Sequence, residues 1–428
     1  MPKILDSVVM DLVLNEIENA KNTKKILLWT YLLSEPLICL FGLFSVILVK
    51  DLEASAAQIA VFTMLKPTVS VISYFWTSIL GKNGNVLVKN LVKSTYLSAP
   101  PLFFFYLFDN VWLAIASCLV YMIFSRAQMP LLMEIFKRNV SKENREKSFG
   151  SISMFAYAEG VILSLIIGTI LDIDHTNFKG LFFLFSILIL VTGLIQRRLH
   201  ITENSITKEN EPEAKNKAKQ SLTSLITHPL KETLRLLKKR KDFARFQYGF
   251  MISMVGLMFA MPAIPFFLVE QGLSYTSLII AFSICQGLGV ILATPFWTRW
   301  MRKASIDRQS QYVCFGFGLF YLLLALSVLG PIWLFSSYLL YGVVQAGSRI
   351  LWHLSGPTFA NDEESTPYSA INVLMVGVRG IIVPPLGAYF FECFGAESTL
   401  IVGMILCSLG GAYFFAIERV QSPRTLEN

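Results

Sequence analysis

The sequence predicts an all-α integral membrane protein with twelve transmembrane helices in two pseudo-symmetric six-helix halves. Three observations predict it. The 428 residues are 54% hydrophobic and only 15% charged, whereas a soluble domain carries about 25% charged residues. The apolar residues gather into runs near the length, about 20 residues, that spans the hydrocarbon core as a helix. Finally, segments of the first half recur in the second at a nearly constant offset.

In chain order the runs are 26–49, 56–80, 91–108, 111–133, 149–171, 179–196, 243–269, 274–297, 310–329, 332–354, 368–391 and 398–416. Each must be helical, because lipid offers no partner for a free backbone amide. Residues 1–25 read as a cytoplasmic amphipathic segment, and the first apolar run is long enough to stay in the membrane, so no cleavable signal peptide is expected. The N-terminal half is then 26–196 and the C-terminal half 243–416, with 417–428 a cytoplasmic tail. Between the halves, 197–242 is a basic cytoplasmic linker. Its stretch NSITKENEPEAKNKAKQ is polar, the composition of a disordered segment. In HPLKETLRLLKKRKDF, Leu230, Leu234 and Leu237 share one face with Arg235 and the basic residues 238–241 alongside. That pattern fits an interfacial helix on anionic lipid headgroups or a solvated linker helix.

Lysine and arginine resist translocation and accumulate in cytoplasmic loops. Thirty of the 37 fall in the N-terminal segment, the even-numbered loops (with Lys93 in the first turn of the third run) and the C-terminus, and only Lys50 and Lys179 fall on the opposite side. Both termini are therefore expected in the cytoplasm, with the chain in the cell (inner) membrane. The same spread removes the net charge of +8 as a nucleic-acid signal, because the basic residues serve topology. All six cysteines fall in or beside apolar runs without metal-ligand spacing and read as small packing residues.

The repeat is visible in scarce residues. Phe75-Trp76-Thr77 recurs as Phe296-Trp297-Thr298 at an offset of 221; Tyr121 with Tyr341 and Gly160 with Gly380 keep 220. SVILVKDLEASAAQIA (45–60) is similar to PFFLVEQGLSYTSLIIA (265–281), with one extra residue in the second copy. Two six-helix halves that both start inside form parallel repeats about an axis along the membrane normal. Over residues 25–418 the chain resembles the major facilitator superfamily in its six plus six spans, long cytoplasmic middle loop and repeat. That family's signature between spans two and three is Gly-x-x-x-Asp-Arg/Lys-x-Gly-Arg-Arg/Lys. Here TSILGKNGNVLVK keeps Lys82 and Gly84, but Gly81 stands at the Asp position and Asn85 at a basic one. The stretch EGVILSLIIG lacks the Gly-Pro pair that marks span five of antiporters in the family.

Charges inside spans are costly and usually face a cavity or a partner. The first half holds Glu35, Lys66, Arg126 and Glu159; the second holds Arg349, His353 and Arg379, with no deep acid. Arginine stays protonated, so substrate, water or a distant acid must meet its charge. Arg126, Arg349, Arg379, His353 and the adjacent Trp352 are therefore candidates for binding an anionic group. Glu35 and Glu159 are candidates for proton coupling. The resemblance implies that spans 1, 4, 7 and 10 line a central cavity, which would place Glu35, Arg126, Arg349 and His353 in it. Structural ion pairs, Glu35 with Arg126 and Glu159 with Lys66, are the alternative. The pairs Pro262/Pro265 and Pro384/Pro385 read as helix breaks. DIDHTN at 172–177 reads as a solvated turn.

No GxxxxGK[ST] loop and no nucleophile–base pair is present, so neither an enzyme nor a cofactor or metal is expected. The expected function is secondary active transport by alternating access: proton-coupled uptake of a small anionic or zwitterionic solute. The alternatives are proton-coupled export of amphipathic compounds or drugs, and a non-transporting sensor or scaffold on the same fold. Expected partners are a small-molecule substrate, H⁺ or Na⁺ as coupling ion, and membrane lipid; no nucleic acid is expected, and a monomer is.

Overall fold

The computed structural model describes residues 2–79, 84–107, 110–201, 235–301, 303–360 and 366–421, and among them no strand occurs. Among the described residues, each of the twelve apolar runs is built of helix. In the first half these are α1 (Pro2–Lys50), α2 (Ala56–Ile79), α3 (Gly84–Ser98) with α4 (Pro100–Leu107), α5 (Val111–Asn139), α6 (Lys142–Ile173) and α7 (Asn177–Gln196). The second half has α8 (Lys241–Ala260) with α9 (Ile264–Glu270), α10 (Tyr275–Ile279) with α11 (Gln286–Met301), α12 (Ile306–Ala325), α13 (Pro331–Ala360) and α14 (Thr366–Gln421). Backbone in the left-handed region at Gly395, φ 80°, divides α14 into the eleventh and twelfth spans. Of the linker, 235–239 is helical; the polar stretch, Pro229, Leu230 and Leu234 lie outside the described residues, as do positions 80–83 of the loop signature.

Local chemistry explains the helix ends. Asn110 accepts a hydrogen bond from the Leu113 amide at 3.1 Å and starts α5. Ser274 does the same for the Ser277 amide at 3.1 Å, and Ser305 for the Arg308 amide at 3.2 Å. Such caps satisfy amides that have no partner inside the helix. Span seven tightens to a 3₁₀ turn over Met261–Ala263, between α8 and α9, where Pro262 and Pro265 each withhold an amide. The other proline pair does not break its helix. Pro384 and Pro385 sit inside α14, whose backbone stays helical until Gly395. Neighbouring helices can hold such a segment in place when it loses backbone bonds in lipid.

The helix of span eight passes through a π turn at Ile280–Cys285. This bears on the step in the repeat. Ser274 follows the equivalent capping residue Ser55 by 219 positions, while Phe296 follows Phe75 by 221. The two added residues therefore lie within the helix, and a π turn takes up one of them without ending it.

The chain packs as two compact units, Met1–Gly42 with Ile72–Lys219 and Leu43–Val71 with Gln220–Asn428. Packing thus does not follow the repeat boundary, since residues 43–71 join the unit that contains the C-terminal half. In the first unit Ile26, Leu27, Leu91, Leu132, Ile135 and Phe136 form a dry core. Beside it Thr95 donates to the Gln196 amide oxygen at 2.7 Å, and Asn139 bonds Thr23 at 2.8 Å and the His200 carbonyl at 2.7 Å.

In the second unit α11 and α13 touch backbone to backbone. A Cβ on Gly342 would stand 1.9 Å from the Gln286 carbonyl oxygen, and one on Gly289 would stand 2.1 Å from that of Leu339. Trp297, from the second copy of the repeated phrase, is buried in this crossing. Its indole donates to the Val343 carbonyl at 2.8 Å and covers Gly347. The side chains of Phe75, Trp76 and Thr77 lie outside the described residues.

Candidate functional site

Two constellations of intramembrane charge exist, one in each unit. The first is acidic. Glu35 lies on α1 just before Pro36 and is half-buried, as is Glu159 on α6. Gly160 makes room for Glu35: a Cβ there would stand 2.6 Å from Glu35 Oε1. The two carboxyl groups lie within electrostatic reach of each other. Glu159 Oε2 is buried and lacks a hydrogen-bond partner among the described residues. Cys39, one turn along α1 from Glu35, donates to the Gly160 carbonyl at 3.4 Å and ties α1 to α6. Phe41 stacks on Tyr121 at 5.0 Å and meets Phe182 edge-on at 5.6 Å, which fixes α1 against α5 and α7.

Arg126 on α5 is exposed and does not pair with Glu35 among the described residues. Lys66, on α2, is also exposed. It belongs to the second unit, whereas Glu159 belongs to the first.

The second constellation is basic. Arg379 on α14 is 5% exposed. Its Nη1 lies 3.4 Å from the Met251 sulfur on α8, and its guanidinium lies 5.8 Å from the centroid of the Trp352 ring on α13. Its Nε is buried without a hydrogen-bond partner. A thioether is a weak acceptor and a ring face offers only its quadrupole, so neither neutralises the charge. The next residue, Gly380, gives up its side-chain space to Pro67 of α2, whose Cβ would be 2.3 Å from a Cβ at that position. Arg349 is exposed, one helical turn from Trp352 on α13. His353 is helical in backbone, and its side chain lies outside the described residues.

A neutral network, not marked by any charge in the sequence, adjoins Trp352. Gln247 on α8 donates to the Asn372 amide oxygen. Asn372 on α14 donates to Ser355 Oγ at 2.8 Å and to the Trp352 carbonyl at 3.4 Å, and Ser355 donates to the same carbonyl at 3.1 Å. All three side chains are buried. The network fixes the backbone that carries Trp352. Its signal in the sequence was an Asn and a Gln inside apolar spans, where an amide needs partners.

A family model, the Major Facilitator Superfamily, matches residues 37–384. Solved structures are similar across nearly the whole chain. The nucleoside transporter NupG is matched over 93% of this chain and 98% of its own, with a TM-score of 0.68 and 14% identity. A bacterial homolog of the human lysosomal transporter Spinster, in an inward-facing and unoccupied conformation, is matched over 94% and 97%, with a TM-score of 0.66 and 11% identity. A POT family transporter in complex with a thioalcohol-conjugated peptide is matched over 94% and 96%, with a TM-score of 0.67 and 16% identity. At these identities the likeness is one of fold. No curated protein sequence matches.

Proposed function

Because the chain belongs to the major facilitator superfamily, we propose that it is a secondary transporter that couples proton entry to uptake of a small anionic or zwitterionic solute. The observation that carries this reading is Arg379, a buried guanidinium whose contacts are a thioether and an indole face. A buried charge without a counter-charge is costly. A ligand carboxylate or phosphate would remove that cost and could reach Nε with a charge-assisted bond. Trp352 supplies an apolar face for the body of the solute. Arg349 and Arg126, both exposed, would attract the anion from solvent, and His353 would add a donor one turn from Arg349.

Glu35 and Glu159 would carry the proton. Two carboxylates side by side repel in a poorly solvated place, and one bound proton relieves the repulsion. Lys66 is left as a candidate for structural pairing. Export of amphipathic compounds is the second reading. Met251 and Trp352 favour it, because a polarizable thioether and an aromatic ring adapt to varied apolar shapes.

The test is ligand-induced thermal stabilisation of the purified protein with a panel of anions, zwitterions and lipophilic cations at pH 5.5 and 7.5. A pH-dependent stabilisation by an anion or zwitterion that disappears in Arg379→Ala supports uptake. Stabilisation by lipophilic cations alone replaces it with export. Anion-induced stabilisation that persists in Arg379→Ala would overturn the anion site at Arg379, and no stabilisation by any member of the panel would leave the scaffold reading.

A further inference from the structure

We propose that Tyr275, Asp51 and Lys50 form a lock that holds residues 43–71 against the other helices of their unit, and that the lock must open for that contact to separate. Tyr275 begins α10 and is 1% exposed. Its phenol donates to the Asp51 carboxylate, 224 residues away in the chain. Lys50 lies over the same ring, its Nζ 4.4 Å from the centroid. One tyrosine thus receives an acceptor at its tip and a cation on its face from two consecutive residues.

The turn that presents Asp51 is built to hold it. The Asp51 amide donates to the Ile47 carbonyl at 2.9 Å and the Ala54 amide to the Leu48 carbonyl at 2.8 Å. Glu53 takes a left-handed backbone conformation, φ 51°, unusual for a residue with a side chain. Ser55 then starts α2, its amide donating to Gln58 Oε1 at 2.8 Å. On the other side Ser274 caps α10 immediately before Tyr275. Both partners are therefore positioned by local structure.

Beneath the lock the contact is small and smooth. Ala56 and Ala60 of α2 meet Ala388 of α14, flanked by Phe266 and Phe391, whose rings stack at 4.6 Å. The polar contacts of Tyr275 add direction to this apolar patch. Further along, Pro67 sits on Gly380, the neighbour of Arg379. Separation of this face would lift Pro67 from beside the candidate binding residue. The repeat supplies a contrast: Gln271 is the counterpart of Asp51 at an offset of 220. Its amide bonds the Phe267 carbonyl at 3.3 Å and Ser327 Oγ at 3.1 Å, all within the second half. Among the described residues, the first-half turn reaches across the repeat through Asp51 and Tyr275.

The test needs no substrate. Ala388→Cys, placed under the contact at a 3% exposed position, reports opening by its rate of maleimide labelling in detergent. Cys393→Ser removes the exposed native thiol, and the parent without Ala388→Cys gives the background. Tyr275→Phe keeps the ring and removes the donor; Asp51→Asn removes the charge. Each is expected to speed labelling about tenfold, the effect of losing one charge-assisted hydrogen bond. The double variant is expected to be no faster than either single one. Unchanged labelling in a variant that melts normally overturns the lock, as does simple additivity of the two. If Tyr275→Phe fails to fold, Asp51→Asn decides alone.

Discussion

Among the described residues, the first unit keeps two acids near each other with no cation bonded to them, and the second keeps Arg379 with no acid bonded to it. Glu35 and Glu159 are half-buried and close enough to repel, whereas Arg379 is 5% exposed and lies against a sulfur and a ring. We propose that the first place takes a proton and the second an anion. The difference in burial also matters. A half-exposed carboxylate exchanges protons with water, while a buried guanidinium is shielded from it.

Substitutions can break this contrast, and Arg379→Met is expected to have the largest effect. It should abolish anion-dependent stabilisation, a loss of about 100-fold or more in affinity, as expected when a buried charge-pairing group is removed. The unliganded protein should melt no lower, and gain about 1–3 kcal/mol, because an uncompensated buried charge is gone. A fall in the melting temperature of the free protein would mean that Arg379 is structural. Glu159→Gln is expected next. Uptake driven by an imposed pH gradient should drop about tenfold or more, the range of a lost proton-transfer group, while exchange of labelled for unlabelled solute continues. Equal loss of both activities in proteoliposomes would remove Glu159 from proton coupling.

Asn372→Leu tests the neutral network. It strips the Gln247 amide of its partner in a buried place, which should cost about 1–3 kcal/mol in thermal unfolding. Affinity should fall less than in Arg379→Met. Gly160→Ala is the mildest change. Its Cβ would displace the flexible end of Glu35, while the helix gains about 1 kcal/mol of intrinsic preference. Stability should hold and proton-driven uptake should fall a few-fold. Gly180→Ala, with open space around it, is the matched control.

Much of this was legible in the residues. The long apolar runs dictated helices because lipid permits nothing else, and the twelve runs and their repeat point to the fold that the family match bears out. Glu35, Glu159 and Arg379 drew notice because charge is rare in a span. Asn372 and Gln247 did not, because a neutral amide carries no such flag until its partners are known. Pro384 and Pro385 misled, since proline marks a break only where nothing else holds the backbone.

The sequence alone determined the helices, their number and the charges placed inside them, because each follows from local composition and the nature of the solvent. Which charges stand near each other depended on the tertiary structure. Glu35 lies beside Glu159 rather than Arg126 because Gly160 leaves space for it. Arg379 lies against Met251 and Trp352 because α8, α13 and α14 converge there. Residues 43–71 joined the second unit through Tyr275 and a patch of alanines more than 200 positions away. Nothing local encodes such contacts, since they arise from shape complementarity between segments that the chain itself keeps far apart.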